Sequence, residues 1–214
     1  SQLLNKGEEV LVSAMEHHSN IVPWQMACQN SDAILKVIPM DSDGVLDMNA
    51  YKNLLNSKTK MVAVNHISNA LGTINPVKEM CTLAHQVGAK VLIDGAQAGP
   101  HCFIDVKEID ADYYCISGHK VYGPTGIGAL YGKEELLKEL PPYQGGGEMI
   151  ATVSFEKTTY ADLPHKFEAG TPNIAGGIAL KHAIDWINQI GIENIQKYEK
   201  ELLDYAHQQL ATIE

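Results

Sequence analysis

The chain has 214 residues, 45% of them hydrophobic, and a formal net charge of −10. That length allows one sizeable core and part of a second domain. The acidity and the lack of a basic block exclude nucleic acid as the expected partner. No apolar run is long enough to span a bilayer and no leader pattern opens the chain, so a soluble cytoplasmic protein is expected.

Taken in chain order, "SQLLNKGEEVLVS" reads as a helix end running into a strand at 9–13, as if the numbering began inside a fold. Further strands are expected at 34–40, 60–68, 90–97, 112–118 and 127–132. Helical patterns lie near 20–30, 47–56, 76–88, 133–139, 174–189 and 192–212. Asp41-Ser42-Asp43-Gly44 marks a turn. Pro76 is placed to start a helix and Gly88 to end it. The alternation of short apolar strands with helices predicts an α/β fold of three layers, with a mostly parallel central sheet flanked by helices. Residues 140–172 form a long loop rich in Gly, Pro and Thr, a kind of loop that is usually functional or mobile. The last helix carries Ile192, Ile195, Tyr198, Leu202, Tyr205 and Ala206 at helical spacing, and either packs on the sheet domain or leads away from it. The expected organisation is a large domain over 1–190, followed by a helix, 191–214, that leads toward a further small domain.

The four cysteines, Cys28, Cys81, Cys102 and Cys115, include no C-x-x-C pair. Each reads as a small buried hydrophobe in a reducing compartment. All 16 basic residues are lysine. The planar fork with which arginine usually clamps a carboxylate is therefore absent from these residues.

In open parallel sheets, ligands bind beyond the carboxyl ends of the strands. The first strand is followed by "AMEHHSN", with His17 and His18. The third ends in "NHISNALGT", with Asn69. The fourth ends in "LIDGAQ", with Asp94 and Gln97, and the fifth in "ISGHK", with Ser117, His119 and Lys120. Taken singly, Asp94 is a helix cap, His17 a surface histidine and Lys120 a solvated lysine. Their joint occurrence at strand ends points elsewhere. A partly desolvated lysine can condense with an aldehyde. Pyridoxal 5'-phosphate needs such a lysine, a carboxylate opposite its ring nitrogen and donors for its phosphate. Lys120, Asp94 and the pair Ser117 and His119 answer those needs, and His17 can lie flat over the ring. The glycines of "GPTGIG" let the backbone turn tightly beneath the site. A dinucleotide fingerprint is excluded there, because the order is not G-x-G-x-x-G and a strand follows it.

Together, "SGHKVYGPTGIGALY", "LIDGAQA", "AMEHHSNIVPWQ", "NHISNALGT", "GGGEMI" and "FEAGTPN" resemble a cysteine desulfurase of the SufS type, a group II member of the class V aminotransferase superfamily with PLP fold type I. The resemblance covers essentially the whole chain. It implies that Lys120 holds the cofactor, Asp94 faces the pyridine nitrogen and His17 stacks on the ring and carries a proton. It implies further that Gln97 bonds the ring's phenolic oxygen, that Asn69 lies near the cofactor and that Ser117 and His119 hold the phosphate. Thr171 would reach the phosphate of a neighbouring subunit, so a homodimer is implied. Lys166 stands where relatives often have arginine, which puts a local interface contact in doubt.

The implied reaction converts L-cysteine, or L-selenocysteine, to alanine. Sulfur passes to an enzyme persulfide and on to an acceptor protein for iron–sulfur cluster assembly. The family's upstream phosphate loop, its substrate-binding arginine and its nucleophilic cysteine have no match in these residues. The chain thus resembles the family's large domain cut at both ends, and is expected to be inactive alone. Two alternatives remain open at this point. One is another class V reaction: selenocysteine lysis, transamination, kynureninase-like cleavage or epimerisation. The other is a cofactor-binding piece without catalysis.

Overall fold

The computed structural model describes residues 4–213. The expected helix end at the start of the chain falls partly on residues 1–3, outside the described residues, and a turn occupies residues 6 and 7. Six strands form one sheet: β1 (Glu9–Ser13), β2 (Ile34–Ile38), β3 (Thr59–Asn65), β4 (Lys90–Asp94), β5 (Tyr113–Ser117) and β6 (Gly128–Gly132). Their order is β2-β1-β3-β4-β5-β6. The first five are parallel and β6 runs antiparallel to β5. The sheet is therefore mixed and mostly parallel, as expected. Central β1 is buried at every position, which is why it appears as an unbroken apolar run without alternation.

The helices are α1 (Val22–Ser31), α2 (Met48–Leu54), α3 (Val77–Gln86), α4 (Ala98–His101), α5 (Val106–Ile109), α6 (Glu134–Glu139), α7 (Ile174–Ile190) and α8 (Ile192–Leu210). On α3, Val77, Met80, Cys81 and Ala84 form a buried stripe at helical spacing. The stripe packs with Leu11, Val62, Val64, Val91, Ile93 and Tyr114 of the strands. The Tyr51 hydroxyl of α2 donates to the Met80 carbonyl at 2.8 Å, so this helical layer is held by one buried polar bond as well as by apolar contact. Asp47 caps α2 by accepting from the Asn49 and Ala50 amides. Pro76 and Gly88 bound α3 as expected, Gly88 with a left-handed φ of 81°.

Three features differ from the sequence expectation. The stretch 140–172 is not wholly irregular: β7 (Ile150–Val153) and β8 (Thr158–Tyr160) form an antiparallel hairpin. Of the cysteines, Cys28 and Cys81 are buried, but Cys102, at the end of α4, and Cys115, in β5, are only half-buried; all four are free. Lys166 is engaged within the chain. Its ammonium donates to the carbonyls of Leu137 (3.3 Å) and Lys138 (2.9 Å) at the end of α6, where cations are favoured. The last helix packs against α4 and α7, and none of its residues is buried.

At the amino ends of β4 and β5, Asp112 is only 1% exposed. One oxygen accepts from the Val91 amide (2.8 Å) and meets His85 Nε2 (2.8 Å), and the other pairs with Lys133 (3.1 Å). Burial pulls the Lys133 pKa down, but Asp110 and Asp112 outweigh it and hold the group above its ordinary value. Removing a satisfied buried carboxylate strands its partners. Asp112→Ala is expected to cost about 3 kcal/mol of unfolding free energy, measured by urea denaturation.

Candidate active site at the carboxyl edge of the sheet

The carboxyl ends of β1, β3, β4 and β5 share one edge. Asn65 pairs with Asp94, and Asp94 with Cys115, two residues before Ser117. The turn after β1 is shaped by Glu16, which is buried. One Glu16 oxygen accepts from the Asn65 amide (2.9 Å) and bonds the Ser13 hydroxyl; the other accepts from Asn20 Nδ2 (2.7 Å). Asn65 Nδ2 returns to the Met15 carbonyl (2.8 Å), and Asn75 Nδ2 reaches Asn65 Oδ1 (2.6 Å). Asn20 in turn accepts from Trp24 Nε1 of α1 at 3.0 Å. The next residue, His17, is thereby set at a fixed place. It is exposed, and its Nδ1 accepts from the Ser19 amide (3.2 Å) and bonds the Ser19 hydroxyl (2.8 Å). The His18 ring lies beside that of His17, tilted by 35° with centroids 5.9 Å apart.

At the end of β4, half-buried Asp94 accepts the Ala96 amide on Oδ1 at 2.9 Å. This is the local capping that its position allowed, yet Oδ2 has no hydrogen-bond partner among the described residues. Gln97 follows as the N-cap residue of α4, without a side-chain capping bond. At the end of β5, Ser117 Oγ lies 3.1 Å from His119 Nδ1. A 3-10 turn, Gly118–Lys120, then delivers half-buried Lys120. Gly118 is required there: a Cβ would lie 2.6 Å from the Ile127 carbonyl oxygen, so the strand returning to β6 passes directly against the backbone.

Asn69 and Gln97 line a common cleft of about 590 Å³ with Ile67, Ile74, His101 and Glu199. Thr171 is exposed in the segment before α7. Two residues on, Asn173 Nδ2 reaches the Gly126 carbonyl at 3.4 Å, which draws that segment alongside the glycine turn. The strand-end candidates thus gather on one edge in two groups, Ser117 bonded to His119, and Asn69 and Gln97 lining one cleft. Asp94 stands between them in the register. His17 touches neither group through a hydrogen bond.

Several site residues had no sequence signal. The links from Glu16 to Asn65 and from His66 to Tyr114 span 49 and 48 residues, beyond any local pattern. Tyr122, two residues past Lys120, sits at φ 60° and packs edge-on against Trp186 of α7 with ring centroids 5.4 Å apart.

The aminotransferase class-V family model matches residues 1–214. The chain belongs to the aminotransferase class-V family. A cysteine desulfurase of Escherichia coli O8 (strain IAI1) is 54% identical over 208 residues, which are 97% of this chain and 51% of that protein. One from Cronobacter sakazakii is 52% identical over 211 residues, covering 98% of this chain and 52% of its own. Among solved structures, the cysteine desulfurase CsdA of Escherichia coli superposes with a TM-score of 0.95 at 40% identity, covering 97% of this chain and 52% of that one. The apo cysteine desulfurase of Thermococcus onnurineus NA1 does so with a TM-score of 0.95 at 36% identity, covering 99% and 53%. This class-V chain spans about half the length of the curated relatives it matches.

Burial raises the Glu16 pKa from its ordinary 4.5, and the nearby Asp94 charge adds to this; the bonds from Ser13, Asn20 and Asn65 oppose the rise without cancelling it. A carboxyl with a raised folded-state pKa keeps its proton longer when folded. Its ionisation therefore lowers stability as pH climbs from the unfolded value through the folded one, and the loss is constant above that. The stability of the parent relative to Glu16→Gln, from denaturant titrations at a series of pH values, is expected to fall as pH rises above 4.5 and then level off.

Proposed function

We propose that this chain forms the cofactor-binding half of a pyridoxal-phosphate-dependent cysteine desulfurase of the SufS-like group II subtype. What carries the reading is the 54% identity to a named cysteine desulfurase, which extends over 97% of this chain. The donor set fits the cofactor. Lys120 brings a primary amine, and Asp94 keeps one carboxylate oxygen uncommitted. Ser117 and His119, which contact each other beside the lysine, bring a hydroxyl and an imidazole.

In this reading Lys120 binds the cofactor aldehyde through its amine, and Asp94 faces the ring nitrogen and keeps it protonated. His17, oriented by Ser19, covers the ring and moves a proton at the substrate's α-carbon. Gln97 bonds the phenolic oxygen with Asn69 close by. Ser117, His119 and Thr171 take the phosphate, Thr171 from a second copy in a homodimer. Pyridoxal phosphate, when bound, supplies an electron sink for the bond broken at the α-carbon. The substrate is L-cysteine or L-selenocysteine. The sulfur leaves on an enzyme thiol for an acceptor protein in iron–sulfur cluster assembly, in the cytoplasm. Lys120→Ala is expected to abolish the visible absorbance of lysine-linked cofactor at equal folding. Asp94→Asn should retain bound cofactor and lower turnover by about a hundredfold or more, measured by alanine release.

One observation favours a narrower role for residues 1–214 by themselves. A reactive cysteine needs a stabilised thiolate and exposure. Here burial raises the pKa of Cys28 and Cys102 and pushes Cys81 to about 12 and Cys115 to about 11, with carboxylate charges adding to the last two. There is also no arginine to hold the substrate carboxylate. Residues 1–214 with pyridoxal phosphate and L-cysteine are expected to release no more sulfide than the free cofactor does. Robust release, lost on mutating one of the four cysteines, would place the nucleophile in this chain.

A further inference from the structure

A bonded pair of side chains, one buried and one half-buried, lies beside the Asp94 turn, with no part in the functional reading so far. Tyr114 is fully buried, one residue before the Cys115 that pairs with Asp94. A phenolic hydroxyl in an apolar core needs a partner. It finds one in His66, just past the end of β3, whose Nδ1 lies 2.8 Å away; the rings meet edge to face, 6.1 Å between centroids. Burial, together with the charges of Cys102, Asp94 and Cys115, pushes the Tyr114 pKa well above its ordinary value, so the hydroxyl keeps its proton. Burial likewise lowers the His66 pKa, which favours the neutral imidazole, so the hydrogen bond joins two uncharged side chains.

The backbone of His66 and of Cys115, the residue after Tyr114, holds the Asp94–Gly95 peptide from two sides. The His66 amide donates to the Asp94 carbonyl at 2.9 Å, and the Gly95 amide donates to the Cys115 carbonyl at 2.9 Å. A Cβ placed on Gly95 would overlap the Tyr114 ring, so the tyrosine occupies the space where a side chain would stand. The Asp94 carboxylate is itself aimed by the Ala96 amide within the same turn. The residue that fixes the Asp94 carbonyl therefore also fixes the ring on which Gly95 rests.

We infer that His66 and Tyr114 are positioning residues, which set the direction in which the Asp94 carboxylate faces the cofactor's ring nitrogen. The inference rests on the cofactor reading above. A phenylalanine at 114 would fill the same volume, but its ring would no longer be pinned, and the 94–96 turn would gain freedom. Displacing a charged hydrogen-bond acceptor by a fraction of an ångström weakens its hold on the ring nitrogen and alters the electronics of the ring.

The test uses the full-length protein that carries this chain, with three variants: Tyr114→Phe, His66→Phe and His66→Asn. The asparagine keeps an acceptor close to the place of Nδ1, and the phenylalanine keeps the ring without it. Pyridoxal phosphate is titrated into each apoprotein, and the affinity and the visible spectrum of the bound cofactor are recorded beside thermal unfolding. Tyr114→Phe and His66→Phe are expected to weaken cofactor affinity about tenfold and to change the bound spectrum. His66→Asn should recover most of the affinity that His66→Phe loses. A parental spectrum and affinity in Tyr114→Phe would overturn the inference, whatever the change in melting temperature. So would a His66→Asn protein as impaired as His66→Phe, since the imidazole would then act by its bulk alone. If the unsubstituted protein binds no pyridoxal phosphate, the cofactor reading itself falls, and the inference with it.

Discussion

The site depends on one buried carboxylate. Glu16 stands at the end of β1 with its charge surrounded by the Ser13 hydroxyl, the Asn20 amide and the backbone amide of Asn65. Among the described residues no lysine lies against it, so its charge is met by dipoles, and burial dominates its pKa. Such a group is costly unless every lone pair is met. Meeting them forces β1, β3 and the start of α1 into one arrangement, because Asn65 also clasps the Met15 carbonyl and Asn20 also receives Trp24. His17 is the next residue in the chain and inherits its position from this network.

The opposite edge of the sheet is tied by a different solution to the same problem. Asp112 is as deeply buried as Glu16, but Lys133 lies beside it, with His85 and the Val91 amide. A cation beside the carboxylate offsets desolvation where dipoles alone do not. The ion-paired knot sits where no chemistry is expected. The dipole-bound knot sits at the edge where a cofactor would bring its own charges. A cation next to Glu16 would compete with a cofactor ring nitrogen for the Asp94 carboxylate, whose field reaches Glu16. Between the two knots the core is apolar, from Leu11 through Val62 and Val91 to Tyr114. The register that pairs Asn65 with Asp94 is thus fixed at both ends of the strands.

Much of this was legible in the sequence, for physical reasons. Parallel strands buried on both faces leave unbroken apolar runs, and the polar residues at their ends stand out. That is why Asp94, Ser117 and Lys120 stand out as candidates. The antiparallel direction of β6 was not visible, because "GALYG" has the same composition in either direction. The one-turn helices α4 and α5 are too short for a periodic signal. The β7–β8 hairpin is mostly exposed on both strands, so no alternation marked it. The Glu16 and His66 contacts escaped because their partners are some 49 and 48 residues away, and no local pattern encodes a pairing that only the sheet register creates.

The chemistry is distributed unevenly in the chain. The groups suited to a cofactor's ring and phosphate lie on rigid supports: a capped turn, a glycine-tight 3-10 turn and a strand end pinned by a buried network. The groups suited to sulfur are not prepared. Every thiol has its pKa raised by burial, and two are raised further by neighbouring carboxylates. A thiolate near Asp94 would meet that carboxylate's repulsion, as Cys115 does. An acidic group that keeps a ring nitrogen protonated is therefore a poor neighbour for a nucleophilic sulfur. A reaction that needs both is better served by a sulfur held away from Asp94. Helix α8 carries Tyr198, Leu202 and Tyr205 largely exposed, and Glu199 one residue beyond Tyr198 is already bonded to His101 beside the cleft that Asn69 and Gln97 line. That contact ties α8 to this cleft.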